Sequence, residues 1–285
     1  MTIKTSQLEL ATRFHALHDR GSATAPLALA NVWDGASARI VAASGAPALA
    51  TTSAGVAWGL GDGDGDHVER DLALALLSRV VAAVDLPVTA DIESGFGATA
   101  ADVADTVSRV LETGAVGVNI EDTLRKPEGG VPRPVAEQAE RLGAARAAAE
   151  RAGIALYLNA RVDLYLRNFG EESGRLAATL DRARAYLDAG ASGIFVPGVA
   201  DPDTIAELTA AIDAPVNILV GPGSPSVAEL GKLGVARVSL GSAVAEAAYA
   251  VVARAARELL ESGTYDSVRE ALEFGELNSL MIGEA

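Results

Sequence analysis

The chain has 285 residues and is strongly acidic, with 38 Asp and Glu residues against 23 Lys and Arg and a formal net charge of −15. This charge argues against nucleic acid or an anionic membrane as a partner, because both are bound through clustered Lys and Arg. The sequence contains no cysteine and only three histidines, which excludes disulfides and thiolate sites and argues against a histidine-rich zinc centre.

The first predicted element is a helix over residues 5–21. The N-terminus lacks the apolar core of a signal peptide. No apolar run in the chain reaches the length of about 18 residues that a membrane span needs. We therefore expect a cytoplasmic protein that has no membrane partner.

Eight short apolar runs follow in chain order and are predicted to be strands. They cover residues 27–32, 47–52, 86–92, 116–121, 154–160, 193–197, 215–219 and 236–240. Ala-rich segments with helical periodicity separate them, most clearly at 71–84 and 98–114. Apolar strands that alternate with helices indicate a parallel sheet covered on both faces, and eight such units predict a (β/α)8 barrel of the TIM type. A doubly wound sheet is the alternative, but the first run leads into "WDGASARI" and lacks a G-x-G-x-x-G loop.

Two more helices are predicted at the C-terminus, over 243–263 and 265–282. No linker or shift in composition divides the chain. We therefore predict one α/β-barrel domain over 1–285, with the barrel at about 24–262 and a C-terminal helical extension at about 263–285. This is one helix more than a barrel requires, so we expect the surplus helix to pack on a partner subunit.

Acidic residues end the third and fourth predicted strands. Asp91 and Glu93 follow the third, and Glu121 and Asp122 follow the fourth. Active sites of barrels lie at the carboxyl ends of the strands, so these acids should meet in a small volume, where they would repel one another and take up protons. A hard cation with oxygen ligands, Mg²⁺ or Mn²⁺ in its place, would relieve the repulsion, with Asp91 as the candidate direct ligand. The alternative for each acid is a cap on the following helix.

The fifth predicted strand ends in Arg161, whose guanidinium suits a carboxylate or a phosphonate. Ser53 and the backbone N–H groups near Gly55 could hold a second anionic oxygen. This set predicts a site for a small 2-oxo acid that chelates Mg²⁺ and reacts through an enolate stabilised by the metal. In the alternative interpretation, Arg161 forms a salt bridge with Asp163 or Glu121, and Asn217 on the seventh strand bonds a neighbouring loop.

The stretch "GLGDGDGDHVERD" at 59–71 has the alternating aspartates of a calcium loop. Counted from Asp62, however, the sixth position is His67 and the twelfth is Ala73, where an EF-hand needs Gly and Glu. We therefore predict one functional acid, Asp62, in a flexible loop. Asp64 and Asp66 are predicted to be solvated or to cap a helix that begins near residue 68.

At these residues the sequence resembles the isocitrate lyase/phosphoenolpyruvate mutase superfamily over about residues 10–262. The matching pieces, in order, are "WDGASARIVAASGAPALATTSAG" (33–55), "GLGD" (59–62), "LPVTADIESGFG" (86–97), "GAVGVNIED" (114–122), "LNARVD" (158–163), "GASGIFVPG" (190–198) and "ELGKLGVARVSLG" (229–241). The resemblance implies a barrel whose last helix is swapped between subunits, a homotetramer built as a dimer of dimers, Mg²⁺, and a 2-oxo acid or phosphoenolpyruvate as substrate.

The resemblance also implies roles for single residues. The direct metal ligand falls on Asp91, and the acids around the metal's water shell fall on Glu93, Glu121 and Asp62. The substrate-binding arginine falls on Arg161 and the oxo-acid loop on Ser53, Ala54 and Gly55. Trp33 and Asn217 complete the candidate substrate contacts.

The segment after the fourth strand, "DTLRKPEGGVPRPVAEQAERL", departs from the superfamily's subgroups. The C–C lyases carry a "KKCGH"-type loop with a catalytic cysteine, and the mutases carry a Lys-Asn-Ser loop; here Arg125, Lys126 and Arg133 stand without Cys or Asn. Phosphonopyruvate hydrolases use a threonine, for which Thr123 is the candidate, and oxaloacetate decarboxylases use a histidine that "GPGSPS" lacks. The loop's Gly and Pro residues, among them Pro127, Gly129 and Gly130, suit closure over substrate.

These departures place chemistry on phosphoenolpyruvate or phosphonopyruvate slightly ahead of C–C cleavage or decarboxylation. The non-enzymatic alternative is a catalytically silent protein that binds a 2-oxo acid.

Overall fold

The computed structural model describes residues 2–19, 21, 25–124 and 130–283, with residues 2–6 described as backbone only. A ring of parallel strands forms its centre. The strands of the ring are β1 Leu27–Leu29, β2 Asn31–Val32, β3 Leu49–Thr51, β4 Val88–Asp91, β5 Gly117–Glu121, β8 Tyr157–Arg161, β9 Gly193–Val196, β10 Val216–Leu219 and β11 Arg237–Ser239. A short antiparallel hairpin of β6 Thr123–Leu124 and β7 Val131–Pro132 follows β5.

The ring closes through its first strand, which is broken at Ala30 into β1 and β2. On one side Leu27 of β1 pairs with Arg237 of β11, and on the other Asn31 of β2 pairs with Ala50 of β3. All pairings in the ring are parallel, and the order around it is β1-β11-β10-β9-β8-β5-β4-β3-β2. The predicted α/β barrel of the TIM type is therefore confirmed.

Helices surround the ring. They are α1 Thr2–Ala16, α2 Gly35–Ala43, α3 Ser53–Leu60, α4 Arg70–Ala82, α5 Ala100–Glu112, α6 Val135–Ala152, α7 Glu172–Asp188, α8 Pro202–Ala211, α9 Val227–Lys232, α10 Ala243–Ser262 and α11 Phe274–Ile282. The clearest periodic segments of the sequence became α4 and α5. The side chain of Thr99 caps α5 at its N-terminus, and Gly114, with φ +95°, follows its C-terminus in the left-handed conformation that often ends a helix.

The helix predicted over 265–282 is wrong in its first half. The first half forms a single 3₁₀ turn, Asp266–Val268, and only the second half forms a helix, α11. The carboxylate of Glu258 on α10 accepts the backbone N–H groups of Asp266 and Ser267 at 2.7 and 2.8 Å. These bonds hold the chain in a turn beside α10 and take up donors that a continuous helix leaves unbonded at its start.

Helix α1 closes the amino end of the barrel. Phe14 is fully buried, and a Cβ on Gly117 of β5 would lie 2.9 Å from its ring. The His18 ring stacks on that of Tyr157 of β8 with centroids 3.9 Å apart. The opposite end, where the parallel strands finish, carries no such plug of aromatic rings in the described residues. Active sites of barrels of this type lie at that end.

Two surfaces of the barrel are apolar. Helix α10 buries only Ala245, and it exposes Val252, Leu259 and Leu260 to 63%, 59% and 83%. A groove with about 940 Å³ of empty volume runs over β1 and β11, with Val41, Val220, Val227, Val238 and Leu240 among its lining. Within the described part of the chain no helix is long and apolar enough to cross a membrane.

Candidate active site

Four charged residues meet at the carboxyl rim of the barrel. Asp91 ends β4, Glu121 ends β5 and Arg161 ends β8. Glu121 and Arg161 are direct neighbours in register, and Asp163 follows two residues after Arg161. The structure thus brings Asp91 and Glu121, two of the four acids predicted to meet here, together with Arg161.

Arg161 is the centre of this group. Its Nε and Nη2 donate to the two carboxylate oxygens of Asp163 at 2.6 and 3.0 Å. Its Nη1 lies 3.0 Å from Glu121 Oε2 and 3.9 Å from Asp91 Oδ2. Burial opposes the charged form, but the charges of Asp163, Glu121 and Asp91 outweigh it and raise the pKa of Arg161 well above its usual value. The salt bridges considered as an alternative therefore exist, and the Nη1 side of the guanidinium faces the other two acids.

Asp91 lies between the barrel interior and the rim. Its Oδ1 accepts the backbone N–H of Glu93 at 3.1 Å, and its own N–H donates to Thr51 Oγ1 at 2.9 Å. Burial raises the pKa of Asp91, Arg161 lowers it, and Asp64 and Asp163 add to the rise. The carboxylate is therefore fixed by the backbone, and Arg161 offsets only part of the effect of its burial.

Glu93 is buried, 2% exposed, and its backbone has φ +52°, in the left-handed region. Its Oε2 accepts the N–H of Gly65 at 2.9 Å and also that of Asp66. Burial raises the pKa of Glu93 to about 7; the bond from Asp66 opposes this rise, and the charges of Asp66, Asp64 and Asp91 add to it. The loop after α3 thus holds Glu93 through backbone nitrogens.

The aspartates of the 59–71 stretch differ from one another in position. Asp62 is exposed, and its N–H donates to the carbonyl of Ala57 in α3. Asp64 is the exposed acid whose charge acts on Asp91 and Glu93. Asp66, with φ +60°, accepts the N–H of Ser94 at 3.4 Å. The charge of Asp64 acts on both Asp91 and Glu93 and that of Asp66 on Glu93, whereas the role of Asp62 stays a prediction.

Of the two outcomes predicted for Asp64 and Asp66, solvation or helix capping, capping is wrong, and Asp64 is exposed to solvent. Helix α4 begins at Arg70 after Glu69, so neither Asp64 nor Asp66 caps it. The helices that follow β4 and the β6–β7 hairpin begin after Thr99 and Pro134. The alternative that the strand-end acids are helix caps is therefore wrong as well, because the caps lie several residues further along the chain.

The predicted oxo-acid loop is in fact the first turn of α3, which begins at Ser53 after Thr52. Thr52 makes no side-chain cap, so the first N–H groups of the helix are left for an acceptor. A Cβ on Gly55 would lie 2.8 Å from Cβ of Trp33. Glycine therefore allows α3 to approach Trp33 closely, which aligns the turn with the end of the first strand.

A second network lies behind Arg161 and was not predicted. Thr123 Oγ1 donates to Asp163 Oδ2, and the Asp163 N–H donates to Asp122 Oδ1, both at 2.9 Å. Asp122 Oδ2 accepts from Arg182 Nη1 at 2.9 Å and from the Tyr186 hydroxyl at 2.8 Å. These bonds fix Asp163, and through it Arg161, to α7.

The same network anchors the hairpin. Arg133 donates its N–H to the Asp122 carbonyl at 2.7 Å, and its own carbonyl accepts from Arg182 at 2.9 Å. Gly130 has φ +73° where the chain re-enters β7. Arg125, Lys126, Pro127 and Gly129, predicted as parts of a closing loop, lie outside the described residues.

Asn217 is buried inside the barrel, 2% exposed. The Nδ2 of Asn159 donates to the Oδ1 atoms of Asn119 and Asn217 at 2.9 and 3.2 Å. Nδ2 of Asn217 reaches Ser239 Oγ at 3.3 Å. Asn217 therefore bonds to neighbouring strands, and the alternative of a bond to a loop is wrong.

The arrangement is compatible with a cation held largely through water. No three acidic or histidine side chains among the described residues converge closely enough to enclose a metal ion. Mg²⁺ keeps several waters and needs few direct protein ligands. Asp91, Glu93 and Glu121 supply only oxygen donors. Burial, with a smaller contribution from neighbouring acids, raises the pKa values of Asp91 and Glu93, and a cation beside them would stabilise their charged forms.

The fold and the charged rim define the class of protein: an α/β barrel whose candidate site lies at the carboxyl ends of its strands. The family model described as phosphoenolpyruvate phosphomutase matches residues 14–260. The chain belongs to this family, and the superfamily resemblance read from the sequence is confirmed.

Individual relatives carry different names. An uncharacterized protein of Mycobacterium tuberculosis H37Rv is 37% identical over 94% of this chain and 96% of its own length. An oxaloacetate decarboxylase of Pseudomonas savastanoi pv. phaseolicola is 30% identical over 94% of this chain and 86% of its own length. The solved structure of a Burkholderia cenocepacia J2315 protein, provisionally named a lyase/mutase, has a TM-score of 0.88 at 38% identity and covers 96% of both chains. Family and relatives together indicate an enzyme of the mutase/lyase superfamily.

Proposed function

We propose that the protein is a Mg²⁺-dependent enzyme that acts on phosphoenolpyruvate, phosphonopyruvate or a related small 2-oxo acid and makes or breaks a C–P or C–C bond. The observation that carries this proposal is the position of Arg161 between Asp163 on one side and Glu121 and Asp91 on the other. A cationic fork beside surplus carboxylates suits a substrate that is anionic and binds a cation.

In this proposal the chain's own groups bind and orient the substrate. The Nη1 side of Arg161 binds a substrate oxygen, and the N–H groups of Ser53, Ala54 and Gly55 hold the carboxylate at the first turn of α3. Trp33 packs beside that turn. Asn217, which is bonded to Asn159 inside the barrel, is proposed to act on the substrate from the barrel interior. When the bond to C3 breaks, its electron pair stays on the substrate as an enolate, and these donors stabilise the developing charge.

Asp91 is the proposed direct ligand of Mg²⁺, or of Mn²⁺ in its place, and Glu93 and Glu121 are proposed to act through bound water. The cation would supply Lewis-acid stabilisation of the keto and carboxylate oxygens. A third acid is proposed to lie near the water shell of the cation, beside Glu93 and Glu121. Asp64 is favoured over Asp62 for this place, because the charge of Asp64 acts on Asp91 and Glu93. Thr123, whose hydroxyl donates to Asp163, is proposed to take part in the reaction from that position.

Decarboxylation or C–C cleavage is the second candidate function. It is supported by the relative named oxaloacetate decarboxylase, which covers nearly the whole chain. The absence of cysteine from the sequence argues against the C–C lyases that use a cysteine acid. Both candidates use the same carboxyl rim, so one set of assays ranks them.

The test is turnover by purified protein with Mg²⁺ against phosphonopyruvate, oxaloacetate and 2-methylisocitrate. We expect turnover of at least one compound, its loss in EDTA and its return with Mg²⁺ or Mn²⁺. Asp91→Ala should abolish it, and Asp64→Ala should reduce it more than Asp62→Ala, which serves as the matched control. No turnover of any compound, or turnover that Asp91→Ala leaves unchanged, would contradict the proposal; tight 2-oxo acid binding without turnover would support a silent binding protein instead.

We further propose that the subunits exchange α10 in a homotetramer. Support comes from the exposed Val252, Leu259 and Leu260 on α10 and from the apolar groove over β1 and β11, because exposed apolar patches of this kind mark interfaces. Light scattering should give the mass of a tetramer for the native chain and a smaller species for Leu260→Asp. Arg257→Asp, also on an exposed part of α10, is the control; a native monomer would overturn the assembly but not the chemistry.

A further inference from the structure

A second cluster of polar side chains lies at the amino end of the barrel, opposite the candidate active site. Arg237 begins β11 and is 1% exposed. Thr89 of β4 is fully buried, and His18, which follows α1, is 2% exposed. The register Thr89–Gly117–Tyr157 puts Thr89 and Tyr157 at one level of the barrel.

Aromatic rings seal this cluster from solvent. The Phe14 ring packs edge-on against His18 and Tyr157, with centroids 4.8 and 5.4 Å apart. A Cβ on Gly117 would lie 2.7 Å from Thr89 Oγ1 and 2.9 Å from the Phe14 ring, so Thr89 also borders this seal. Arg237 and Tyr157 each begin a strand of the ring, at its amino end, and the charge of Arg237 acts on both His18 and Tyr157.

Five buried polar atoms of the cluster have no hydrogen-bond partner within the described ranges. They are Nε, Nη1 and Nη2 of Arg237, Oγ1 of Thr89 and Nε2 of His18. Buried polar atoms are almost always bonded, and an unbonded group that is charged is the most costly. Three unbonded nitrogens on one guanidinium therefore indicate that Arg237 has a partner other than the described side chains.

That partner should carry negative charge. Burial lowers the pKa of Arg237 to about 10, so the guanidinium stays charged at neutral pH. No acid among the described residues forms an ion pair with it, and the acid that acts on it, Asp91, belongs to the opposite rim. Water would satisfy the N–H groups but would leave the charge of Arg237 uncompensated in a medium of low permittivity.

We propose that this cluster is a binding site for a small inorganic anion of the size of chloride, held by the Arg237 guanidinium and the Thr89 hydroxyl. His18 Nδ1 donates to the Phe14 carbonyl at 2.8 Å, so Nε2 of the neutral ring is an acceptor. A water shared between His18 and the anion donates one hydrogen to each. The aromatic seal limits the site to ions of a few atoms and separates it from the substrate.

Bromide is the probe for this site. Crystals grown in sodium bromide should show an anomalous peak within hydrogen-bonding distance of Arg237 and Thr89. In solution, the melting temperature should rise with bromide when gluconate, too large to enter, is replaced at constant ionic strength. Density for water alone at Arg237 would overturn the proposal. So would a peak with no dependence of the melting temperature on bromide, which would indicate an adventitious ion only.

Two variants separate binding from folding. Thr89→Val keeps the shape of the side chain and removes one hydrogen bond, so the bromide concentration needed for half of the shift should rise about tenfold. Thr179→Val is the matched control, because Thr179 is equally buried and bonds only within its own helix. Arg237→Met should abolish the dependence of the melting temperature on bromide in the fraction of the variant protein that folds. An unchanged bromide response in Thr89→Val would contradict the assigned contact.

Discussion

The two ends of the barrel treat buried charge in opposite ways. At the carboxyl rim Arg161 is shared among Asp91, Glu121 and Asp163, and negative charge is in excess. At the amino end Arg237 is buried, 1% exposed, without an acid in contact within the described part of the chain. The proposed functions follow this difference: a cation and an anionic substrate at the carboxyl rim, and one small anion at the amino end.

Removal of Arg161 should have the largest effect. Arg161→Met leaves three carboxylates without their shared cation and removes the proposed substrate fork, so kcat/KM on the substrate found above should fall on the order of 100- to 1000-fold. The exposed Arg184→Met, whose side chain is 73% exposed, is the control. Activity within a factor of three of the native enzyme would exclude Arg161 from substrate binding.

The same variant has a readout that needs no substrate. A buried ion pair that loses one partner destabilises the fold by about 3 to 5 kcal/mol. Arg161 lowers the folded-state pKa of Asp91 in the native protein. That pKa rises without Arg161, so the difference in unfolding free energy between the two proteins should shrink as pH falls and carboxylates take up protons. A difference that is constant from pH 8 to pH 5 would show that Arg161 does not neutralise them.

The pH dependence of stability tests the burial of His18 at the amino end of the barrel. Burial, followed by the charge of Arg237, lowers its folded-state pKa to about 3 from the ordinary 6.5. Below pH 6.5 the unfolded chain binds a proton that the folded protein does not, so stability should fall as pH drops from 6.5 toward 3. At about 1.4 kcal/mol per pH unit, the loss reaches about 3 kcal/mol by pH 4.

His18→Phe keeps a ring against Tyr157 and lacks the titrating group, so its stability should be less dependent on pH in this window. The measurement is chemical denaturation of both proteins between pH 7 and 4. Other acids titrate in both chains, and the difference between the two curves isolates His18. Parallel curves would mean that His18 takes up its proton as easily in the folded protein as in the unfolded chain.

Asp122 connects the two networks of the rim, and its substitution should have a smaller effect. Asp122→Asn puts an amide where one oxygen accepts from Arg182 and Tyr186 and the other from the Asp163 N–H. Loss of such a supporting partner typically costs 10- to 100-fold in activity. Because Asp122 acts through Asp163 on Arg161, KM should rise more than kcat falls; Asp181→Asn, an exposed acid on α7, should change neither.

The sequence predicted the rim because its signals are local. Asp91, Glu121 and Arg161 each end an apolar run, and a parallel barrel brings such ends together whatever the loops between them do. The choice among Asp62, Asp64 and Asp66 depends on how one glycine-rich loop turns back over Glu93, and periodicity carries no information about that. The helix expected over 265–282 was interrupted by a contact from Glu258, which no propensity in the segment itself indicates.

The supporting groups could not be predicted for a different reason. Arg182 and Tyr186 meet Asp122 across 60 and 64 residues of sequence. Thr89 and Arg237 lie on different strands of the barrel, and each by itself looks like an ordinary strand residue. Such contacts follow from which faces of the strands and helices point inward, so they become visible only once the register is known.

Thr123 gives the smallest effect and separates two roles at the rim. In the structure its hydroxyl donates to Asp163 Oδ2 at 2.9 Å. If Thr123 only orients Asp163, Thr123→Val should cost one hydrogen bond, about 1 kcal/mol or a fivefold loss of kcat/KM, and Thr123→Ser should restore most of it. If the hydroxyl instead contacts the reacting group, the valine variant should lose 100-fold or more in kcat, on the order of a missing proton-transfer group. A small loss, largely in KM, would assign Thr123 to the network that positions Arg161, whereas a large loss in kcat would make it a catalytic residue.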